Sequence, residues 1–216
     1  MDVALSAIEN VPMLLSGSLD FLLCLTCLAI AVAAARARND LLFAGFLWVA
    51  AAAFVGALNL GGLTWTNDTH KWLSQVATGP GMLILGLGIV AAIFGPFAAG
   101  RWLAAPLGIS GVGLIFYLWH AKSTHLGAVT TTMSVVALVA LLVLAVVAFL
   151  GARPGPGLAA LGAVGLLLFA GFGVNELPLG TDSRLQHVDI LHLVLTACYL
   201  LIWMAVRGVT SPESPR

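Results

Sequence analysis

Residues 128–150 read AVTTTMSVVALVALLVLAVVAFL, an unbroken run without one charged side chain. At 1.5 Å rise per residue, a helix of this length spans about 35 Å, enough to cross a bilayer's hydrocarbon core of about 30 Å. A helix at a water-exposed surface needs a polar face, and beyond Ser134 this stretch has none. Comparable apolar runs lie on both sides of it, at 13–35, 41–63, 73–95, 102–119, 157–174 and 188–206. Pro80 and Pro106 interrupt two of these runs, yet residues 73–119 are far too long for one crossing. The sequence predicts an all-α fold: an integral membrane bundle of seven transmembrane helices, forming a single domain over residues 1–216.

Composition agrees with that expectation. Apolar residues make up 61% of the chain and charged residues 8%, against about a quarter in ordinary soluble domains. The mean hydropathy is +1.07. Formal net charge is zero, so no basic field exists to hold nucleic acid. Asp2 and Glu9 precede the first apolar run with no basic residue, which argues against a cleaved leader. Cys24, Cys27 and Cys198 all lie inside apolar runs and read as small buried hydrophobes. An apolar helix interior keeps such thiols protonated and inert.

Orientation follows from basic residues in short loops. With seven crossings, Arg36, Arg38, Arg101, Arg153, Arg207 and Arg216 share the face of the C-terminus, against Lys71, Lys122 and Arg184 opposite. The expected topology has the N-terminus outside and the C-terminus in the cytoplasm, in a bacterial inner (plasma) membrane. All five histidines then fall at or near the outer face, whereas none lies in an inner loop. His120 and His125 read as solvated loop residues.

Polar groups inside the spans are more informative, because hydrocarbon penalises unpaired ones. In the last span Asp189, His192, Thr196, Tyr199 and Trp203 recur on one helical face. Asp189 stands one turn from His192, where a carboxylate can orient an imidazole and raise its basicity. In the first span Ser16, Asp20, Cys24 and Cys27 form a second stripe, and Asp20 is the most deeply placed ionisable group. Asn59, Ser74, Gln75 and Thr78 stand at a similar depth. If the first, second, third and seventh spans adjoin, these groups meet in one cavity open to the outer leaflet. Asp20, His192 and Asp189 are the candidate catalytic residues. Ser16, Asn59, Gln75, Thr196 and Tyr199 would line the pocket.

The segment Asp189-x-x-His192, with Tyr199-Leu200-Leu201 and Arg207-Gly208 behind it, resembles the last helix of an uncharacterised bacterial family of seven-helix membrane proteins. The likeness extends over Gly56 to Asn59 and Trp72 to Gly79. More distantly, the layout is similar to the CREST superfamily of seven-helix membrane hydrolases, which includes alkaline ceramidases and adiponectin-receptor-type proteins. That resemblance implies a zinc site at one membrane face, with His192, His187 and His70 as metal ligands. It departs from the superfamily pattern in the H-x4-H spacing of His187 and His192, in Asn59 where a histidine is expected, and in His70 or Gln75 where an aspartate is expected.

Two functions compete. One is a metal-dependent hydrolase of lipid amides or esters, in which zinc activates a water by lowering its pKa. The other is a non-enzymatic lipid-binding, transport or proton-relay protein built on Asp20 and His192. A transporter would commonly show an internal repeat and paired broken helices, and only Gly79-Pro80-Gly81 reads as a break. Lys71 and Lys122 both lie in loops, which excludes a retinal Schiff base in the last helix.

Overall fold

The computed structural model describes residues 11–95, 100–178 and 186–210, with side chains placed from residue 15 onward and again from residue 106. Asp2, Glu9, Asp182, Arg184 and Arg216, and the side chains of Arg101 and Trp102, lie outside the described residues. The elements are α1 (Val11–Arg36), α2 (Asp40–Leu60), α3 (Asn67–Val76), α4 (Met82–Phe94), α5 (Gly100–His120), α6 (Leu126–Leu150), α7 (Pro154–Leu168) and α8 (His187–Thr210). No strand occurs among the described residues.

Six segments are long and apolar enough to cross a membrane: Leu15–Arg36, Asp40–Leu60, Thr64–Phe94, Leu126–Leu150, Pro154–Glu176 and His187–Thr210. Pro106–His120 is a shorter apolar helix. The side chains on the outside bear out the membrane reading. Val139, Val146 and Leu150 on α6, and Phe21, Leu25 and Val32 on α1, are exposed apolar groups. Such a belt suits acyl chains and not water.

Helix ends are set by local chemistry. The Asn39 side chain accepts from the Leu42 N–H at 3.0 Å and caps α2, while its Nδ2 donates to the Gly88 carbonyl on α4 at 2.9 Å. Arg153 precedes Pro154 at the start of α7 and donates to the Gly208 and Val209 carbonyls at 3.3 and 2.6 Å. A cation on those carbonyls closes the end of α8. These arginine-bearing turns gather at the end of the bundle remote from the first residues of α1.

The third crossing differs from a simple interrupted span. Thr64–Phe94 runs as one bent segment, with a π turn at Ala77–Gly81 containing Pro80. Proline lacks the N–H that an α-helix requires, so the ladder is broken there. Within this turn the Thr78 carbonyl also accepts from the Ser134 hydroxyl of α6.

Around the bundle, α1 packs on α2 and α8, α2 on α3 and α4, α4 on α6, α6 on α7, and α7 on α8, with α5 set against α2, α3 and the π turn. Phe46, Leu85, Ile89, Leu141, Leu144 and Ile202 fill the centre, where Phe46 meets Tyr199 edge to face at 5.7 Å. Small residues permit the closest approaches. A Cβ on Gly86 would lie 2.9 Å from the Ala137 backbone, and one on Gly88 2.7 Å from the Leu42 nitrogen. At Gly165, by contrast, nothing lies within 4 Å of a Cβ.

Candidate functional site

The first and last spans stand side by side and run parallel, so their polar stripes face each other. His192 Nε2 lies 3.1 Å from Asp20 Oδ1. Asp20 is 1% exposed and His192 8%. One turn nearer the helix starts, the Ser16 hydroxyl donates to Asp189 Oδ1. One α1–α8 contact thus carries two polar bridges in register.

Asp189, expected beside His192, makes its hydrogen bonds elsewhere. Its Oδ2 accepts from the backbone N–H of Gln186 at 2.8 Å. Gln186 immediately precedes α8 and Asp189 is its third residue, the reach-back half of a capping box. With Oδ1 on Ser16 and Oδ2 on its own helix start, the carboxylate is committed to structure. It is Asp20, on another helix, that orients His192.

His70 comes in from the side. The chain turns at Gly61-Gly62, with Gly62 at φ +103°, and re-enters as α3 from Asn67. His70 shares a helical face with buried Leu73 and Ala77, and this turns its ring inward. Its Nδ1 lies 3.2 Å from the Ala52 carbonyl of α2. A carbonyl can only accept, so Nδ1 carries the hydrogen and Nε2 keeps the lone pair.

Gly56 on α2 explains how three helices share this spot. The position a Cβ would take lies 2.5 Å from Asp20 Oδ2 and 2.7 Å from His70 Cε1. The carboxylate and the imidazole edge occupy the space of the missing side chain. Sequence reasoning did not single out Gly56 for this role; it was one of several glycines in the apolar second span.

Two atoms of the cluster have no partner. Asp20 Oδ2 and His192 Nδ1 are both buried and make no hydrogen bond. A buried polar atom left open costs about 1–3 kcal/mol, so their retention calls for a reason.

The other expected residues are dispersed. Thr196 is buried, but its hydroxyl donates to the His192 carbonyl of its own helix at 2.7 Å. Tyr199 lies deeper, with its hydroxyl 3.9 Å from Met82 Sδ. Asn59 and Gln75 are half-buried, and among the described residues no hydrogen bond joins either to Asp20 or His192. His187 Nε2 donates to the Leu177 carbonyl at 3.0 Å and ties α8 to the end of the preceding segment. His120, the last residue of α5, and His125, in the turn that follows, are both exposed.

Zinc fits this donor set poorly. Structural and catalytic zinc take at least three protein ligands. Here His192 and Asp20 bond each other, while His70 and His187 each donate to a backbone carbonyl. Among the described residues no three His, Cys, Asp or Glu side chains converge to hold a metal ion. The proposed ligand trio of His192, His187 and His70 is therefore not assembled.

The fold and this cluster define an apolar helical bundle of the integral membrane class, with a buried carboxylate–imidazole contact joining its first and last described helices. Residues 16–211 match a family of unknown function, DUF6962, and the chain belongs to that family. No curated protein and no solved structure matches it.

Proposed function

We propose that this chain is a seven-span membrane protein in which Asp20 and His192 take up and release a proton. The observation that carries the reading is the 3.1 Å contact between two enclosed groups, each with one open atom. A proton is the one ligand that needs no cavity. Carboxylates and histidines within a membrane are characteristic of proton relays. The lipid-hydrolase reading, by contrast, required a metal that the donor geometry does not favour.

The seventh crossing in this proposal is α5. From Gly100 to His120 it has 21 residues, about 31 Å of helix, enough for the hydrocarbon core. Seven crossings put Arg36, Arg38, Arg153 and Arg207 on the face of the C-terminus, which the basic-residue rule assigns to the cytoplasm. The Asp20–His192 pair then lies near the outer side of a plasma membrane. A lipid headgroup bearing a hydrogen-bond donor is the partner this cluster could recognise from that leaflet.

The test is infrared difference spectroscopy of the reconstituted chain between acidic and alkaline buffer. The expected result is a protonated-carboxyl band that comes and goes with pH and is lost in Asp20→Asn. If Asp20 keeps one protonation state across that range, the proposal fails.

A further inference from the structure

We infer that His70 is the group through which Asp20 exchanges its proton with the outer face, and that Gly56 is the gap that lets the two meet. The inference rests on the proton-exchange reading of the Asp20–His192 pair and adds a direction to it.

Four observations converge. Asp20 has one oxygen on His192 and one open, and the open one faces Gly56. The His70 Cε1 edge borders the same point from α3. The Ala52 carbonyl holds the His70 Nδ1 hydrogen, so Nε2 is the atom that gains and loses a proton. His70 is only half-buried and stands in the first turn and a half of α3, next to exposed Thr69 and Lys71. His70 is thus partly open to the boundary while its Cε1 edge borders the buried carboxylate.

The groups around Asp20 are consistent with this direction. They are Cys24 on its own helix, His70 on α3, and Asp189 and His192 on α8; α2 contributes only the Gly56 backbone. Asp189 is held by Ser16 and Gln186, and Cys24 is a buried thiol. Among these described groups, His70 is the one that is half-buried and not enclosed.

The step balances without a co-reactant. A hydronium gives its proton to His70 Nε2 and leaves as water. The N–H bond then breaks as an O–H bond forms on Asp20 Oδ2, through one bridging water. His70 returns to its neutral form with Nδ1 still on Ala52. The hydrogen between Asp20 Oδ1 and His192 Nε2 is then free to settle on the imidazole.

The experiment follows the Asp20 carboxyl band after a rapid pH jump in the reconstituted full chain. His70→Gln is expected to slow its rise by about 100-fold, the scale of a positioned acid–base group, while the endpoint is retained. Imidazole added to His70→Ala is expected to restore the rate, which a purely structural role for the residue would not allow. Gly56→Ala is expected to slow the rise as well, with helical content unchanged by circular dichroism. If His70→Gln and His70→Ala both follow wild-type kinetics while Asp20 still titrates, the His70 route is overturned and the Asp20–His192 pair stands. If Asp20 never titrates in wild type, the underlying reading is what fails.

Discussion

Asp20 on the first described helix and His192 on the last meet at 3.1 Å, and this one contact closes the bundle across the whole length of the chain. Ser16 and Asp189 make a second bridge one turn away. Together they lock α1 and α8 in parallel register.

Breaking one side of the pair should hurt more than removing both. His192→Leu leaves a buried Asp20 carboxyl with neither oxygen bonded, a loss of about 1–3 kcal/mol. The double variant Asp20→Leu/His192→Leu removes both open polar atoms of the pair. It is expected to be more stable than either single variant in thermal unfolding followed by circular dichroism.

Gly56→Ala should destabilise by about 1–3 kcal/mol, since its methyl would fall within 2.5 Å of Asp20 Oδ2 and 2.7 Å of His70 Cε1. Asp20→Gly in the same chain clears one of those contacts. Partial rescue in the double variant, read as non-additive melting temperatures, is the expected sign that the two positions share this space.

Glycines elsewhere divide by what surrounds them. Gly88→Ala drives a methyl to 2.7 Å from the Leu42 nitrogen and should lower stability by about 1–3 kcal/mol. Gly113 is exposed on α5 with nothing within 4 Å. There Ala should be neutral or stabilising by about 0.5–1 kcal/mol, the ordinary gain within a helix. Paired denaturation in detergent distinguishes the two signs.

Asp189 should act on the start of α8 and not on the protonation chemistry. Asp189→Ala removes the bond to the Gln186 N–H and frees the Ser16 hydroxyl, a loss of about 0.5–2 kcal/mol. Hydrogen exchange at the first turn of α8 should rise while the Asp20 carboxyl band persists. Loss of that band would return Asp189 to the functional set.

The spans were legible because hydrophobic run length is a local property, and 128–150 could hardly be read otherwise. Asp20 and His192 were legible as outliers: ionisable groups in apolar helices attract notice whatever they touch. What sequence could not supply was packing order. Asp189 lies one turn from His192 along the chain, so local spacing pointed to it as the orienting carboxylate. The partner came instead from a residue more than 170 positions away, because α1 and α8 are neighbours in space. Gly56 was invisible for the same reason, since a glycine's role lies in what fills the space beside it. Asn59 and Gln75 matched Asp20 in depth, but depth does not fix which side of a helix faces the cluster.

Solid-state NMR of the reconstituted chain, with labelled imidazole nitrogens and carboxyl carbons, tests the central contact most directly. A through-space correlation between His192 Nε2 and the Asp20 carboxyl carbon, with both signals moving together as pH changes, is the predicted result. Absence of that correlation, or two signals that respond to pH independently, would contradict a shared proton between the first and last helices.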